Sequence, residues 1–302
     1  MALPEAINVF LEDSGIKENG FDAACFAVPG PVFKGCSKLL NLPWSVKEND
    51  LRFFLRMKEV YLINDFQAIG HGLSCLTGND LYSLQGAKEV KNSPLAYIGA
   101  GTGLGVGYLT RNEDNILSSA TATEGGHTDF APINETQIEL LRVLRSKYYR
   151  VSNERLLTGS GLVEIYQFVR AHRVFHEEEN PELRHALICS EDPAERISHF
   201  ALVEKDIIAR RALDIFIDIY GAVAGNISLM TLPYSGLYIV GGIALKNREY
   251  IGESGRFMDA FLDKGRMSGL LKKIPVNIVT NPDVGLIGAA MYARRMLVKS
   301  SK

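Results

Sequence analysis

A run of alternating glycines is the part of this sequence best suited to chemistry. Apolar residues lead into it and out of it, and Thr102 stands at its centre. Repeated glycine lets a backbone turn tightly and approach a ligand, because no Cβ atom stands in the way. Successive N–H groups in such a turn form a concavity that binds anions, and the Thr102 hydroxyl adds a donor. The pattern predicts a site for nucleotide phosphates. The glycines are Gly99, Gly101, Gly103, Gly105 and Gly107.

Two common nucleotide motifs do not fit this run. The dinucleotide fingerprint G-x-G-x-x-G fails in each register, because Leu104, Val106 and Tyr108 occupy its sixth position. The P-loop pattern fails as well, since no Gly-Lys-Ser or Gly-Lys-Thr is present. A strand that enters a hairpin follows the run, where the fingerprint requires a helix. A strand, a glycine turn and a second strand form the phosphate loop of actin-like ATPases. A structural hairpin is the alternative, although so many glycines would weaken it.

The pair Asn64-Asp65 follows an apolar strand pattern and precedes a helical one. Asn and Asp are both favoured as helix N-caps, so capping is one interpretation. A carboxylate at the carboxyl end of a parallel strand also lies where α/β folds bind ligands. There it can take a proton from a hydroxyl nucleophile. The pair alone leaves both interpretations open.

The motif Glu124-Gly125-Gly126-His127 places a carboxylate and an imidazole at the ends of a two-glycine turn. Glu accepts hydrogen bonds from hydroxyls, and His donates or accepts them, which suits a polyol ligand. A polar hairpin end is the alternative, and a metal site is less well supported because no further ligand is suggested nearby. Taken alone, Glu154 would be interpreted as an ordinary acidic residue on the surface. Gly241-Gly242 offers bare backbone at a strand end, which suits an adenine or ribose as well as a structural turn.

Strands alternate with helices along the chain, which predicts the α/β class with mixed sheets. In the longest helix, Ile208, Ala212, Ile215, Ile219, Val223 and Ile227 mark a buried face. In the last helix, Gly288 permits close packing. The polar segment 172–196 is expected to be a surface excursion with weak helix, the least ordered part of the chain. The predicted helices are 4–14, 51–57, 66–76, 135–149, 162–171, 204–231 and 284–298, and the predicted strands include 21–28, 60–63, 237–240 and 276–279.

Composition narrows the classes of function. The 302 residues suffice for two domains, and 46% apolar with 23% charged residues is ordinary for a globular protein. A net charge of −2 gives no electrostatic reason to expect nucleic acid or an anionic membrane as partner. No apolar run reaches transmembrane length and no signal peptide is expected. Scattered cysteines without metal spacing predict reduced thiols in a cytoplasmic protein. They are Cys25, Cys36, Cys75 and Cys189.

With these residues placed, the chain resembles the bacterial-type glucokinases of the actin-like, ribonuclease-H-like superfamily. The resemblance runs from about residue 4 to 297. Each motif is moderately specific, and their order and spacing together are highly specific. The zinc-binding cysteine cluster of the related ROK sugar kinases is absent from the sequence. The motifs are Leu62-Ile63-Asn64-Asp65-Phe66, the glycine run, Glu124-Gly125-Gly126-His127 with Asp129-Phe130-Ala131-Pro132, Ser152-Asn153-Glu154-Arg155 with Gly159 and Gly161, and Gly241-Gly242-Ile243.

The resemblance implies phosphoryl transfer from ATP, with Mg²⁺, to the 6-hydroxyl of glucose. Asp65 would be the general base that takes the proton from that hydroxyl. Asn41 would add a sugar contact, with Leu40 at a position where the family usually has Thr. The implied sugar-binding residues are Asn41, Asn64, Asp65, Glu124, His127 and Glu154. The implied ATP-binding residues are Gly99, Gly101, Thr102, Gly103, Gly241 and Gly242.

A two-domain sugar kinase fold with an interdomain cleft follows from the same resemblance. The small domain would contain residues 1–75 and 280–302, and the large domain residues 76–279. Glucose would bind in the cleft, and domain closure would exclude water. We also expect a homodimer, a cytoplasmic location and a role in glycolysis.

The family opens with a strand and an Asp-x-Gly-Gly-Thr hairpin, its first phosphate loop, and Met1 falls beyond that segment. Without it, the strand at 21–28 would keep an unpaired edge and uncovered apolar surface. We therefore expect poor turnover from these residues alone and a functional protein that starts upstream. A non-catalytic sugar-binding or regulatory protein is the alternative. An assay of phosphoryl transfer to glucose separates the two.

Overall fold

Helices and strands alternate along the part of the chain that the structure describes. This computed structural model describes residues 3–15, 20–39, 45–110, 120–171 and 179–300. The predicted α/β class with mixed sheets is confirmed. The strands are β1 (Ala24–Val28), β2 (Cys36–Lys38), β3 (Ser45–Lys47), β4 (Val60–Asn64), β5 (Leu81–Gln85), β6 (Leu95–Ala100), β7 (Leu104–Leu109), β8 (Thr121–Thr123), β9 (Leu237–Val240) and β10 (Val276–Val279). The helices are α1 (Leu3–Ser14), α2 (Glu48–Leu55), α3 (Asp65–Leu73), α4 (Glu135–Lys147), α5 (Asn153–Leu156), α6 (Gly159–Ala171), α7 (Pro181–Cys189), α8 (Pro193–Leu202), α9 (Ile207–Thr231), α10 (Gly242–Lys246), α11 (Arg248–Ser254), α12 (Arg256–Leu262), α13 (Ser268–Leu271) and α14 (Val284–Ser300).

The chain divides into two compact units. The first unit contains Met1–Gly78, Ser119–Ala122 and Asn281–Lys302, and the second contains Asn79–Ser118 and Thr123–Thr280. Because α14 belongs to the first unit, both the first and the last described helix lie in the same unit.

In the first unit, a pair of parallel strands carries the start of α3. β1 and β4 pair from Ala24 opposite Val60 to Val28 opposite Asn64. Most of β4 is buried, which agrees with its nearly continuous apolar sequence. The register brings the carboxyl ends of both strands to the same edge, where α/β folds bind ligands. Asn64 and Asp65 therefore lie at a position suited to a site.

Two glycines let α3 and α14 pack with their backbones in contact. A Cβ atom on Gly288 would lie 1.8 Å from the carbonyl oxygen of Ala68. A Cβ atom on Gly72 would lie 2.0 Å from the carbonyl oxygen of Val284. No side chain can occupy either position without moving a helix, so the close packing predicted at Gly288 is confirmed.

An apolar groove of about 730 Å³ in the first unit is lined by residues of α1, β1 and α14. Among the described residues, β4 is the only strand that pairs with β1. Phe10 and Leu286, which line the groove, are 58% and 73% exposed. Within the described residues, β1 therefore pairs along one edge only, and an upstream segment that covers the other edge stays a prediction. The expected effect on turnover stays a prediction.

The second unit is organised around a mixed sheet in which β5, β10, β9, β6 and β7 follow one another in this order. β9 runs parallel to β6 and β10, whereas β7 is antiparallel to β6, and β5 to β10. Every residue of β6 is buried. The sequence did not predict β5. Its residues show no alternation of burial and its partner strand lies far along the chain, so no local pattern marks it.

The helix α9 forms much of the core of the second unit. The predicted buried face is confirmed, because all six of its marker residues, from Ile208 to Ile227, are buried. By length and composition, α9 is the one helix in the described ranges that could cross a membrane. However, 72% of its most apolar window is buried, and α9 packs against α6, α8 and α12. A core helix of a folded unit has these properties.

The polar segment 172–196 is more regular than predicted. Residues 172–178 lie outside the described residues, but α7 and the start of α8 lie in the remainder. Asn180 and Asp192 cap the two helices through their side chains, and Pro181 and Pro193 follow in the first turns. A side-chain cap followed by proline is a strong start for a helix, which the polar composition obscured.

The buried His71 should make the stability of the first unit sensitive to acid. Burial, with a smaller contribution from Arg295, lowers the pKa of His71 to about 4. An unfolded histidine has a pKa near 6.5, so between these values only the unfolded chain takes up the proton. The stabilising effect is complete above pH 6.5 and is lost as the pH falls toward 4. We expect a loss of about 2–3 kcal/mol between pH 7 and pH 4.5, measured by urea unfolding.

The variant His71→Gln cannot titrate and should lose less stability over the same pH range. His185, which is exposed on α7, provides the control, and His185→Gln should show the full loss of the parent protein. An equal acid sensitivity in the parent protein and in His71→Gln would contradict the assignment.

Candidate active site

The glycine run forms a three-residue turn between β6 and β7, as the sequence predicted. Ala100 pairs with Leu104, and inside the turn the N–H of Gly101 donates to the carbonyl of Gly103 at 2.9 Å. Among the described residues, no acceptor is found for the N–H groups of Thr102 and Gly103. The turn therefore leaves two N–H groups available to an anion, fewer than the sequence suggested.

The turn is held from two sides. The carbonyl of Gly101 accepts a hydrogen bond from the N–H of Gly159, at the start of α6, at 3.0 Å. The hydroxyl of Tyr220 on α9 accepts from the N–H of Ala100 at 3.2 Å and donates to the carbonyl of Ile98 at 3.3 Å. The end of β6 and the turn that follows it are thus hydrogen-bonded to both α6 and α9.

Glu124, His127 and Glu154 lie together in the second unit. The Nε2 atom of His127 lies 3.6 Å from Oε2 of Glu124, and its Nδ1 atom lies 3.6 Å from Oε1 of Glu154. The three side chains are 71%, 53% and 32% exposed in sequence order, so a ligand can reach them. We call them the carboxylate–histidine triad. Its hydrogen-bonding groups suit the hydroxyls of a polyol.

Backbone pairing between distant segments brings the triad together. The N–H of Asn153 donates to the carbonyl of Thr128 at 2.9 Å, and its side chain donates to the Thr128 hydroxyl at 2.9 Å. The N–H of Phe130 donates to the carbonyl of Val151 at 3.1 Å. These bonds align the chain after His127 with the chain before α5, which carries Glu154.

Glu154 joins the triad to the glycine turn. Its Oε2 atom accepts a hydrogen bond at 3.0 Å from the N–H of Leu104, the first residue after the turn. Gly126 strengthens this junction, because a Cβ atom there would lie 2.1 Å from the carbonyl oxygen of Leu104. The carboxylate–histidine triad and the glycine turn are therefore parts of one connected structure within the second unit.

The structure assigns different positions to Asn64 and Asp65. Asn64 caps α3, since its Oδ1 accepts from the N–H of Gln67 at 3.1 Å and its Nδ2 donates to the carbonyl of Gly30 at 3.0 Å. Capping is thus shown for Asn64. Asp65 is exposed, and its Oδ1 accepts the N–H of Phe66 at 2.8 Å. Its carboxylate reaches solvent at the carboxyl edge of the parallel pair. Asn41 lies outside the described residues.

A cavity of about 800 Å³ in the second unit contains part of the predicted nucleotide site. Of the six implied ATP-binding residues, Gly101, Thr102 and Gly242 line it. Gly99 is buried inside β6, and a Cβ atom on Gly103 would face Glu154 rather than the cavity. The size is typical of small-molecule sites. Lining residues that sequence reasoning missed include Ser160, Glu164, Asp192, Lys246 and Asn247.

The missed residues have weak signals in the sequence. Lys246 and Asp192 form an ion pair at 3.4 Å, although 54 positions separate them. The Asp-Pro sequence at 192 marks a helix start and nothing more. Of these missed residues, only Ser160 lies in a segment with a recognisable sequence pattern, the glycine-containing Thr158-Gly159-Ser160-Gly161. The cavity is created by tertiary packing, which no local pattern encodes.

The fold is that of the sugar kinases with an actin-like fold. Among solved structures, a glucokinase from an Antarctic psychrotroph aligns with a TM-score of 0.81 and 28% identity, over 97% of this chain and 86% of its own. A glucokinase from Balamuthia mandrillaris shares the fold, with a TM-score of 0.75 and 19% identity, over 96% of this chain and 82% of its own.

Sequence comparison defines the family. Residues 1–296 match the family described as Glucokinase. The glucokinase of Nostoc punctiforme is 44% identical over 287 residues, which cover 91% of this chain and 83% of the relative. That of Tolumonas auensis is 35% identical over 296 residues, which cover 98% of this chain and 87% of the relative. The chain belongs to the glucokinase family.

Two adjacent glycines after β9, of which only Gly242 lines the cavity, allow a matched test of backbone packing. Gly241 has a φ of +94°, and a Cβ atom there would lie 2.6 Å from the carbonyl oxygen of Ala100. Gly242 has open space around its Cβ position. We expect Gly241→Ala to lower the free energy of unfolding by about 2–4 kcal/mol, from backbone strain and overpacking. Gly242→Ala should change it by less than about 1 kcal/mol. Equal urea-unfolding stabilities of the two variants would contradict this assignment.

Proposed function

We propose that this chain transfers the terminal phosphoryl group of ATP to the 6-hydroxyl of glucose, giving glucose 6-phosphate and ADP. Membership of the glucokinase family supports this reaction. The structural observation that carries it is the bond from Leu104 to Glu154, which joins a polyol-binding triad to a phosphate-binding turn. Neither the described residues nor the comparisons favour the alternative of a non-catalytic sugar-binding protein.

The carboxylate–histidine triad would hold the hydroxyls of the sugar. Glu124 and Glu154 present acceptors, and His127 can donate or accept from between them. Asn64 and Asn41 join this group through the family resemblance alone. For Asn64, a sugar contact would have to be added to its two existing hydrogen bonds, because both ends of its amide are already engaged.

The glycine turn and the cavity would hold ATP. The N–H groups of Thr102 and Gly103, with the Thr102 hydroxyl, would bind phosphate oxygens. The cavity behind Gly101 and Gly242 would receive the nucleoside. A structure of a ROK family glucokinase from Streptomyces griseus contains glucose and AMPPNP, and at 19% identity it supports the fold alone.

Asp65 would act as the general base. It would take the proton of the 6-hydroxyl as that oxygen attacks the phosphorus, and the phosphoryl group would move in line from ATP. Mg²⁺ would neutralise charge on the phosphates when bound. No preformed cluster of metal-binding side chains is found among the described residues.

We also propose that the two compact units are the two domains of the kinase. Glycolysis, a cytoplasmic location and a homodimer stay predictions.

The role of Asp65 can be tested with a matched pair of variants. Asp65→Asn should lower kcat by about a hundred- to ten-thousandfold, because the general base is lost, while glucose affinity changes little. Asp50 is also an exposed acid in the first turn of a helix of the first unit, so Asp50→Asn is the control. The measurement is glucose-dependent release of ADP from ATP. A kcat for Asp65→Asn within threefold of the parent enzyme would remove Asp65 from this role.

The role of Glu154 predicts a loss of sugar binding. Glu154→Ala should weaken glucose binding by roughly five- to a hundredfold in calorimetry, because a polar partner is lost. Glu154→Gln keeps an acceptor for the N–H of Leu104. A loss of glucose affinity in this variant would therefore report the sugar contact and not a change in the glycine turn. Glu182→Ala, at an exposed position on α7, is the control. Unchanged glucose affinity in both Glu154 variants would exclude the residue from the sugar site.

A further inference from the structure

The wall of the nucleotide cavity contains a buried acceptor without a donor. Asn247 lies between α10 and α11, lines the cavity and is 4% exposed. Among the described residues, no donor lies within hydrogen-bonding distance of its Oδ1 atom. Leaving a buried acceptor unpaired costs about 1–3 kcal/mol, and folded proteins contain few such atoms. A residue of this cavity wall therefore has a buried acceptor that none of the described residues uses.

The orientation of the Asn247 amide follows from its one side-chain hydrogen bond. Its Nδ2 donates to the backbone carbonyl of Ile243 at 2.8 Å. A carbonyl oxygen can only accept, so the nitrogen must face Ile243 and the oxygen must be the unpaired atom. A ligand that satisfies Asn247 must therefore present a donor.

The neighbouring side chains indicate which part of a nucleotide carries that donor. Apolar groups suited to a flat ring line the same cavity, and they include Leu162, Val163 and Ile243. The acid Asp192 is 58% exposed at its side chain, so it can bind ribose hydroxyls in contact with water. A neutral acceptor among buried groups suits an N–H of a base better than a solvated hydroxyl.

We propose that Asn247 recognises the base of the phosphoryl donor, by accepting a hydrogen bond from the 6-amino group of adenine. The inference rests on the proposed function only in taking the cavity as the nucleotide site. A purine with a 6-oxo group would place an acceptor against Oδ1 and leave both atoms unpaired. Sites built to bond a polar group reject analogues that lack it. Asn247 is thus a specificity-determining residue for adenine over hypoxanthine.

Calorimetric titration with ADP and with inosine diphosphate tests this without any need for turnover. The parent protein should bind ADP at least about tenfold more tightly than inosine diphosphate. Asn247→Leu should lose about tenfold or more in ADP affinity and keep its affinity for inosine diphosphate, so the preference disappears. Asn247→Gln retains an amide, with a donor for the Ile243 carbonyl and an acceptor for the ligand, and should retain the preference for ADP. Ser254→Ala is the control, because Ser254 Oγ is also buried and unpaired but does not line the cavity.

Three results would overturn the proposal. They are a parent protein that binds the two nucleotides within threefold, an Asn247→Leu variant that keeps the parental ratio, and an Asn247→Gln variant that loses it. The first and the last result decide the question even if Asn247→Leu does not fold. Phosphoryl transfer from ATP and from inosine triphosphate, measured in parallel, separates the two proposals. If ATP and inosine triphosphate are used with equal efficiency, the role of Asn247 is refuted and the kinase function is not. If the protein shows an Asn247-dependent preference for ADP but no turnover, the kinase function is refuted and the role of Asn247 is not.

Discussion

The hydrogen bond from the N–H of Leu104 to Glu154 is the contact on which the candidate site depends. It begins at the first residue of β7 and ends on a helix 50 positions later. One carboxylate oxygen is used by this bond, and the other lies 3.6 Å from His127. Because a carboxylate is planar and rigid, fixing one oxygen also fixes the other. The position of the glycine turn therefore determines where the triad presents its acceptors.

Close backbone contacts at two glycines make this arrangement rigid. Gly126 lies against the carbonyl of Leu104, and Gly241 lies against the carbonyl of Ala100, so both ends of the turn between β6 and β7 are covered by glycine backbone. In each case the space for a Cβ atom is already occupied. Glycine is required here for packing, whereas Gly101 and Gly242, which have open space at the Cβ position, leave room for a ligand. Neighbouring glycines in this family member thus have two separate physical purposes.

Local patterns in the sequence predicted what local physics determines. The turn between β6 and β7 and the face of α9 were recognised because glycine spacing and helical periodicity act over a few residues. Glu154 was found through resemblance alone, since its bond to Leu104 depends on the pairing of segments near 128 and 152. The strand β5 and the helices α7 and α8 were missed or underestimated, because a distant partner and two caps determine them. Asn247 could not be identified at all, since an unpaired acceptor is defined only by what surrounds it.

Charge would separate the two kinds of binding proposed for the second unit. The chain has a net charge of −2, and the cavity that contains the glycine turn is also lined by the acids Glu164, Glu191, Asp192 and Glu195. Such side chains repel phosphates and accept hydroxyls, so they restrict a polyphosphate to the N–H groups of the turn. Lys246 supplies little compensating attraction, because it is already paired with Asp192 at 3.4 Å. Oriented backbone N–H groups bind anions without long flexible side chains, which is how the proposed phosphate site would work beside these acids. The same acids then remain available for the hydroxyls of the nucleoside.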